Sequence, residues 1–235
     1  ALKEKLGFAP LSLGSNKAPY FVDFVKEKAS EHLGNVAKLD EEMHPLATQG
    51  LRIFTSIDLP LQRRADTAVS HTVRELEAKY KITSPLRLEG LIVAADIQTS
   101  TIRALVGGRS YAETNFNRVL NMKRQVGSVF KPIVYLSAFL KGSDSNGIPY
   151  TDSYLIEDAP WSYTFENQVW KPKNFENTYR GKITLREAFA HSINIPMAKI
   201  GIDVGLDRIT ETAHKLGIKE DLPKLPSLIL GAVEL

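Results

Sequence analysis

From Tyr20 to Leu33 apolar residues recur at helical spacing, Phe21, Phe24, Val25 and Ala29, and predict a short helix after a Pro/Gly/Ser-bearing stretch, Ala9 to Pro19. Leu51 to Ile57 alternates apolar and polar residues as a half-buried strand does. Asp58 then caps a helix that starts near Leu59-Pro60 and runs to about Tyr80. Ile92 to Ile97 and Ile102 to Val106 are β-rich runs separated by a short polar turn, which predicts a hairpin with Gly107-Gly108 as its flexible exit. Val129 to Leu140 and Leu185 to Ile200 read as helices. Between them lies a long loop rich in aromatic, Asn and Pro residues, and loops of that length inside a domain are often functional. Leu206 to Leu235 reads as helical in two pieces, broken around Pro223 and Pro226.

Composition narrows the classes open to this pattern. At 235 residues and 43% hydrophobic content the chain holds one substantial domain with an accessory segment. Thirty basic against 27 acidic residues leave a formal charge of +3, too small and too evenly spread for a nucleic-acid partner. With no cysteine, disulfides, Cys-ligated zinc and thiol redox chemistry are excluded. No h-region follows Ala1 and no run of about eighteen apolar residues occurs, so any anchor is expected to lie outside these residues.

The chemistry-bearing segment is Arg124-Gln-Val-Gly127-Ser128-Val-Phe-Lys131-Pro132. On a helix, a hydroxyl and an amine three residues apart share one face, with their Cβ atoms roughly 5–6 Å apart. A serine needs a base to become a nucleophile, and a lysine serves once burial or a neighbouring cation lowers its pKa. Unpaired N–H groups in the first helical turn can stabilise an oxyanion, and Gly127 lets a substrate approach the backbone. The plainer reading is a Ser128 helix cap beside a solvated Lys131. A second constellation, Ser192-Ile-Asn194 within Ala188 to Pro196, favours the chemical reading; by itself it reads equally as a helix cap and a turn.

With these two motifs the chain resembles the penicillin-binding proteins and serine β-lactamases, whose signatures are Ser-x-x-Lys, Ser-x-Asn and Lys-Thr/Ser-Gly. Longer stretches resemble the bifunctional class A penicillin-binding proteins: Ala18-Pro-Tyr-Phe-Val-Asp23, Thr55-Ser-Ile-Asp58 with Leu61-Gln62, Arg124 to Pro132, and Trp170-Lys-Pro-Lys-Asn174-Phe. The resemblance implies an α/β (α+β) transpeptidase fold, a central antiparallel sheet flanked by helices. It also implies a linker region with a leading helix over 1–85 and the N-terminal portion of the transpeptidase domain over 86–235.

The same resemblance implies a D,D-transpeptidase that forms an acyl-enzyme with D-Ala-D-Ala stem peptides and is inhibited covalently by β-lactams. Ser128 and Lys131 match the nucleophile and base, Ser192 the proton relay, and Asn194 the amide that holds the substrate backbone. Gly127, Trp170 and Asn174 match positions at the cleft, although Trp170 reads equally as a core anchor of its loop. No cofactor or metal is implied. The implied partners are peptidoglycan stem peptides, lipid-linked precursor through the parent protein, and cell-wall synthesis regulators. The implied location is the periplasmic or extracytoplasmic face of the bacterial inner membrane, with a glycosyltransferase domain and an anchor before Ala1.

No Lys-Thr-Gly or Lys-Ser-Gly occurs in the sequence. The third motif is expected beyond Leu235, and these residues alone are expected to be inactive. Two rival functions remain open: a serine β-lactamase or D,D-carboxypeptidase, in which water replaces the acceptor amine, and a noncatalytic module that binds peptidoglycan or regulators. Three lesser features are read as structural. His191 points about 100° away from Ser192 on a helix and lacks an acidic orienter. Glu41, Glu42 and His44 form a solvated turn without a ligand cluster. Gly107-Gly108-Arg109 lacks the pattern of a phosphate loop.

Overall fold

The structure, a computed structural model, describes residues 17–36, 52–83 and 87–235. Glu41, Glu42 and His44, read from sequence as a solvated turn, lie outside them. The chain divides into two compact units, Ala1–Met122 and Lys123–Leu235.

In the first unit, helix α1 (Pro19–Val36) buries Tyr20 and Phe21 with Leu105. Helix α2 (Leu59–Lys79) starts where predicted, with Asp58 accepting from the Leu61 N–H at 3.0 Å and Pro60 in its first turn. Its apolar stripe, Ala65, Val69 and Val73, packs on Ala104 and Val106. Those two residues belong to β2 (Ile102–Val106), which pairs antiparallel with β1 (Ile92–Ala95) as the expected hairpin. Asp96 closes its turn by accepting the N–H groups of Gln98 and Thr99 at 3.1 and 2.8 Å.

Residues 52–57 depart from the sequence reading, because they form no strand. Ser56 Oγ donates to the Ile102 carbonyl at 2.7 Å and the Asp58 N–H to the Arg103 carbonyl at 2.8 Å. Further along β2, the buried Gln62 side chain occupies the edge: its Oε1 accepts from the Leu105 N–H at 2.8 Å and its Nε2 donates to the Leu105 carbonyl at 3.0 Å. An amide from α2 thus takes the place of a neighbouring strand, and Phe54 stays 92% exposed.

Gly107-Gly108, read as a flexible exit, is instead a close-packed contact. A Cβ on Gly107 would lie 2.3 Å from Asn117 Oδ1 and 2.8 Å from Tyr20 Cδ1, and one on Gly108 would lie 2.6 Å from the Tyr20 hydroxyl. Asn117 has no freedom to yield, since Nδ2 donates to the Tyr20 carbonyl at 2.9 Å while Oδ1 caps α3 (Arg118–Asn121). Gly107→Ala is therefore expected to destabilise the protein by about 2–3 kcal/mol, read as a lowered thermal midpoint.

In the second unit, a 3₁₀ turn (Gly127–Phe130) runs into helix α4 (Lys131–Lys141). Phe130, Val134 and Ala138 pack with Met197 and Ile200 of α6 (Asn194–Val204) and Ile209 and Ala213 of α7 (Leu206–Lys215). Leu228 and Ile229 of a second 3₁₀ turn (Pro226–Leu230) complete this core. Each fully buried large side chain here contributes about 1.5–3 kcal/mol through removal from water.

The aromatic-rich loop carries short strands not read from the sequence: β3 (Leu155–Asp158) pairs with β6 (Gly181–Thr184), and β4 (Tyr163–Phe165) with β5 (Gln168–Trp170), all antiparallel. The predicted helix Leu185 to Ile200 is two helices, α5 (Leu185–Ala190) and α6, separated at His191–Ile193. The fold class is α/β, as expected, and among the described residues its sheets are two-stranded antiparallel pairs flanked by helices.

Candidate active site

Ser128 sits in the 3₁₀ turn that leads into α4, exposed on a cleft of ≈ 380 Å³. Gly127, in front of it, adopts φ +54, and nothing lies within 4 Å of where its Cβ would be. The turn is held from behind by the last described residues. Val126 donates to Val233 at 3.1 Å and Gly127 to Gly231 at 3.0 Å, while Arg124 and Leu235 exchange N–H···O bonds at 3.3 Å.

Lys131 follows one turn later and points inward, leaving the residue 2% exposed. Its ammonium donates to the Ser192 carbonyl at 2.5 Å, Ser192 Oγ at 3.0 Å and Asn194 Oδ1 at 2.7 Å. An ammonium has three protons, and three acceptors meet it. Burial nevertheless holds its pKa down to about 8, because a charge withdrawn from water is costly. The solvated-lysine reading is thereby excluded. Lys131 and Ser128 are linked only through the backbone, by the Lys131 N–H to the Ser128 carbonyl.

The break between α5 and α6 explains how Ser192 and Asn194 reach this amine. Ser192 has φ +52, a left-handed conformation that costs a residue with a Cβ roughly 1 kcal/mol or more. The Ser192 N–H bonds the Phe189 carbonyl and the Ile193 N–H the Ala188 carbonyl, both at 2.9 Å, which reverses the chain. That reversal aims the Ser192 carbonyl and hydroxyl, and the first residue of α6, at Lys131.

Helix α6 has no side-chain cap from Ile193 before it. Asn174 supplies one from the loop: its Oδ1 accepts from the Asn194 N–H at 3.2 Å and the Ile195 N–H at 3.1 Å. Its Nδ2 donates to Asp158 Oδ1 at 2.8 Å and to the Thr178 carbonyl at 2.9 Å. Asp158 is fully buried, and its other oxygen accepts from the Arg180 N–H at 2.9 Å. Sequence reasoning missed Asp158, because an acid at the end of Leu155-Ile-Glu-Asp reads as a turn residue.

Of the residues singled out from sequence, Ser128, Ser192, Asn194 and Asn174 line the cleft, together with Phe175, Glu176, Arg180 and His191. Lys131 lies behind them. Trp170, open from sequence to a cleft position or a core anchor, does not line the cleft but packs half-buried on the unit's core, edge to face with Trp161 at 6.2 Å between centroids. The Asn194 amide is already engaged, since Nδ2 donates to the Lys173 carbonyl at 2.8 Å. Among the described residues no group of acidic or histidine side chains is assembled as a metal site.

A family model described as the penicillin binding protein transpeptidase domain matches residues 90–227. The chain belongs to this family. It is 35% identical to penicillin-binding protein 1B of Vibrio cholerae over 94% of its own length, and 34% identical to penicillin-binding protein 1B of Haemophilus influenzae over 93%. It spans about a quarter of the length of these curated relatives, 26% of each.

Solved penicillin-binding proteins share its fold. The crystal structure of penicillin-binding protein 1A from Haemophilus influenzae aligns with a TM-score of 0.68 at 20% identity, over 93% of this chain and 44% of that one. PonA1 from Mycobacterium tuberculosis in complex with penicillin V aligns at 0.66 and 22% identity, over 90% and 55%. Among the described residues, no helix is long and apolar enough to cross a membrane.

Proposed function

We propose that this chain contributes the nucleophile-bearing part of a peptidoglycan D,D-transpeptidase in which Ser128 is acylated, and that the transpeptidase domain begins near residue 86. The carrying observation is the buried Lys131 amine gathered with Ser192 and Asn194 behind an exposed serine. With a pKa of about 8 in place of the ordinary 10.5, the neutral amine at pH 7 is about 300 times more abundant than on a solvated lysine.

In the forward reaction neutral Lys131 takes the proton of Ser128 Oγ as that oxygen bonds the carbonyl carbon of the penultimate D-Ala. The C–N bond to the terminal D-Ala breaks, and the proton passes through Ser192 Oγ to the departing amine. An amine from a neighbouring strand then attacks the ester; the bond to Ser128 Oγ breaks, the cross-link forms, and a proton from the incoming amine restores the Ser128 hydroxyl. A β-lactam follows the first half, except that its leaving amine stays tethered by the ring. The second Nδ2 proton of Asn194, the one not given to the Lys173 carbonyl, and the open backbone at Gly127 are assigned to the substrate's peptide, and Asn174 to holding Asn194.

The parent is proposed to be a class A protein that also polymerises lipid-linked precursor, is anchored to the membrane with this domain outside the cytoplasm, and answers to cell-wall synthesis regulators. The names of its penicillin-binding protein 1B relatives support that reading. Incubating the full-length protein with a labelled penicillin and mapping the adduct by mass spectrometry is expected to place the label on Ser128, with none on Ser128→Ala. Label on another residue, or an unlabelled wild type, overturns the assignment.

A further inference from the structure

We infer that Asp158 and Asn174 form a positioning pair that holds the Ser192–Asn194 turn, and with it the Lys131 amine, in its reactive arrangement. The inference rests on the transpeptidase reading and adds Asp158 to that same site, with Asn174 as the link through which it acts.

A continuous chain of hydrogen bonds carries it. From the buried Asp158 carboxylate it runs through Asn174 Nδ2 and Oδ1 to the first N–H groups of α6, then through Asn194 Oδ1 to Lys131 Nζ. Each member has a polarity that its isostere lacks. Both partners of Asp158 are donors, the Asn174 amide and the Arg180 N–H, so both of its oxygens must accept. Asn174 must donate on one side and accept on the other, since Oδ1 faces N–H groups at the positive end of a helix.

The charge also has a purpose in this position. Asp158 spans two distant parts of the loop, sitting at the end of β3 while Arg180 immediately precedes β6. It thereby fixes the strand pair on one side and the cap of α6 on the other. The cap matters because Ser192 holds a left-handed backbone that its surroundings must enforce. A buried carboxylate with two firm donors is stiff, and stiffness at about the 1 Å level separates productive from unproductive geometry by roughly a hundredfold in rate.

The test uses full-length protein and the rate of Ser128 acylation by a labelled penicillin, followed against pH. Asp158→Asn sets an amide donor against a donor, and Asn174→Asp sets two carboxylates face to face. Each is expected to slow acylation by roughly a hundredfold, and Asp158→Asn to move the midpoint of its pH dependence downward because Asn194 Oδ1 no longer supports the ammonium, whereas in Asn174→Asp the added carboxylate opposes that shift.

The exchanged double variant, Asp158→Asn with Asn174→Asp, restores one donor facing one acceptor between the two positions and keeps the helix cap, losing only the bond to the Thr178 carbonyl. It is expected to recover at least tenfold of the loss. Asp203→Asn serves as the comparison. It disrupts the bonds to Tyr150 and Lys141 at the far end of α6, and is expected to lower the melting temperature while leaving the pH midpoint in place.

Single variants with unchanged rate and midpoint, a double variant no faster than the singles, or an equal midpoint shift in Asp203→Asn would each overturn the pair's role. Failure of wild type to label at Ser128 overturns the transpeptidase reading instead.

Discussion

Lys131→Met is expected to slow acylation of Ser128 by roughly a thousandfold, the scale of a lost general base. Methionine fills most of the buried volume, so the loss reports the amine and not a cavity. In the wild type, acylation is expected to rise with pH through about 8, where the amine gives up its third proton. The Met variant is expected to show no such rise. Stability supplies an independent check. The folded pKa lies below the unfolded one, so between about pH 8 and 10 the unfolded chain binds more protons and stability rises with pH. Above that range the tyrosines act in the opposite sense: burial and its bond to Asp144 push Tyr154 up to about 12, and stability falls as the unfolded tyrosine ionises. Denaturant titrations across the lower window should show a shallower pH slope for the Met variant, and an equal slope in both proteins would refute the assigned pKa.

Gly231→Ala carries the second large effect. Gly231 has φ +75, and a Cβ there would lie 1.9 Å from the Gly127 carbonyl oxygen and 2.7 Å from the Gly127 nitrogen. Neither atom is the far end of a side chain, so the backbone in front of Ser128 must move. Conformational strain and overpacking together are expected to remove about 3–4 kcal/mol, seen as a lowered denaturation midpoint. In the molecules that still fold, displacement of the serine by about 1 Å should slow acylation roughly a hundredfold. A fully stable Ala variant with wild-type acylation would show that 231–235 does not brace the turn.

Much of this was legible from sequence where local chemistry settles the matter. Asp58 before Leu59-Pro60 is a complete helix-start signal, and the hairpin shows in its two apolar runs around a polar turn. The Ser128–Lys131 spacing and the Ser192–Asn194 pair carried the resemblance that the family match bears out. What stayed hidden depends on partners far along the chain. The stretch 52–57 alternates like a strand, yet the Gln62 side chain takes the edge it would extend along. The helix break at His191-Ser192-Ile193 was open to reading from Ser192 as a cap and Pro196 in the following turn, but the left-handed backbone of Ser192 and its bonds back to α5 were not. Asn174 lines the cleft as its motif suggests, but the bonds of its amide to Asp158, Thr178 and the start of α6 join residues too far apart in the chain to be read from it.

All three acceptors around Lys131 come from residues 61 and 63 positions away along the chain. Such an environment exists only after two remote segments have met; before that, the lysine has its ordinary basicity and the serine has no base. On the proposed reading, reactivity toward penicillin is acquired only once those segments have packed together. A labelled β-lactam would then count finished copies in a cell and pass over those still unfolded or misassembled, which protein abundance alone does not distinguish.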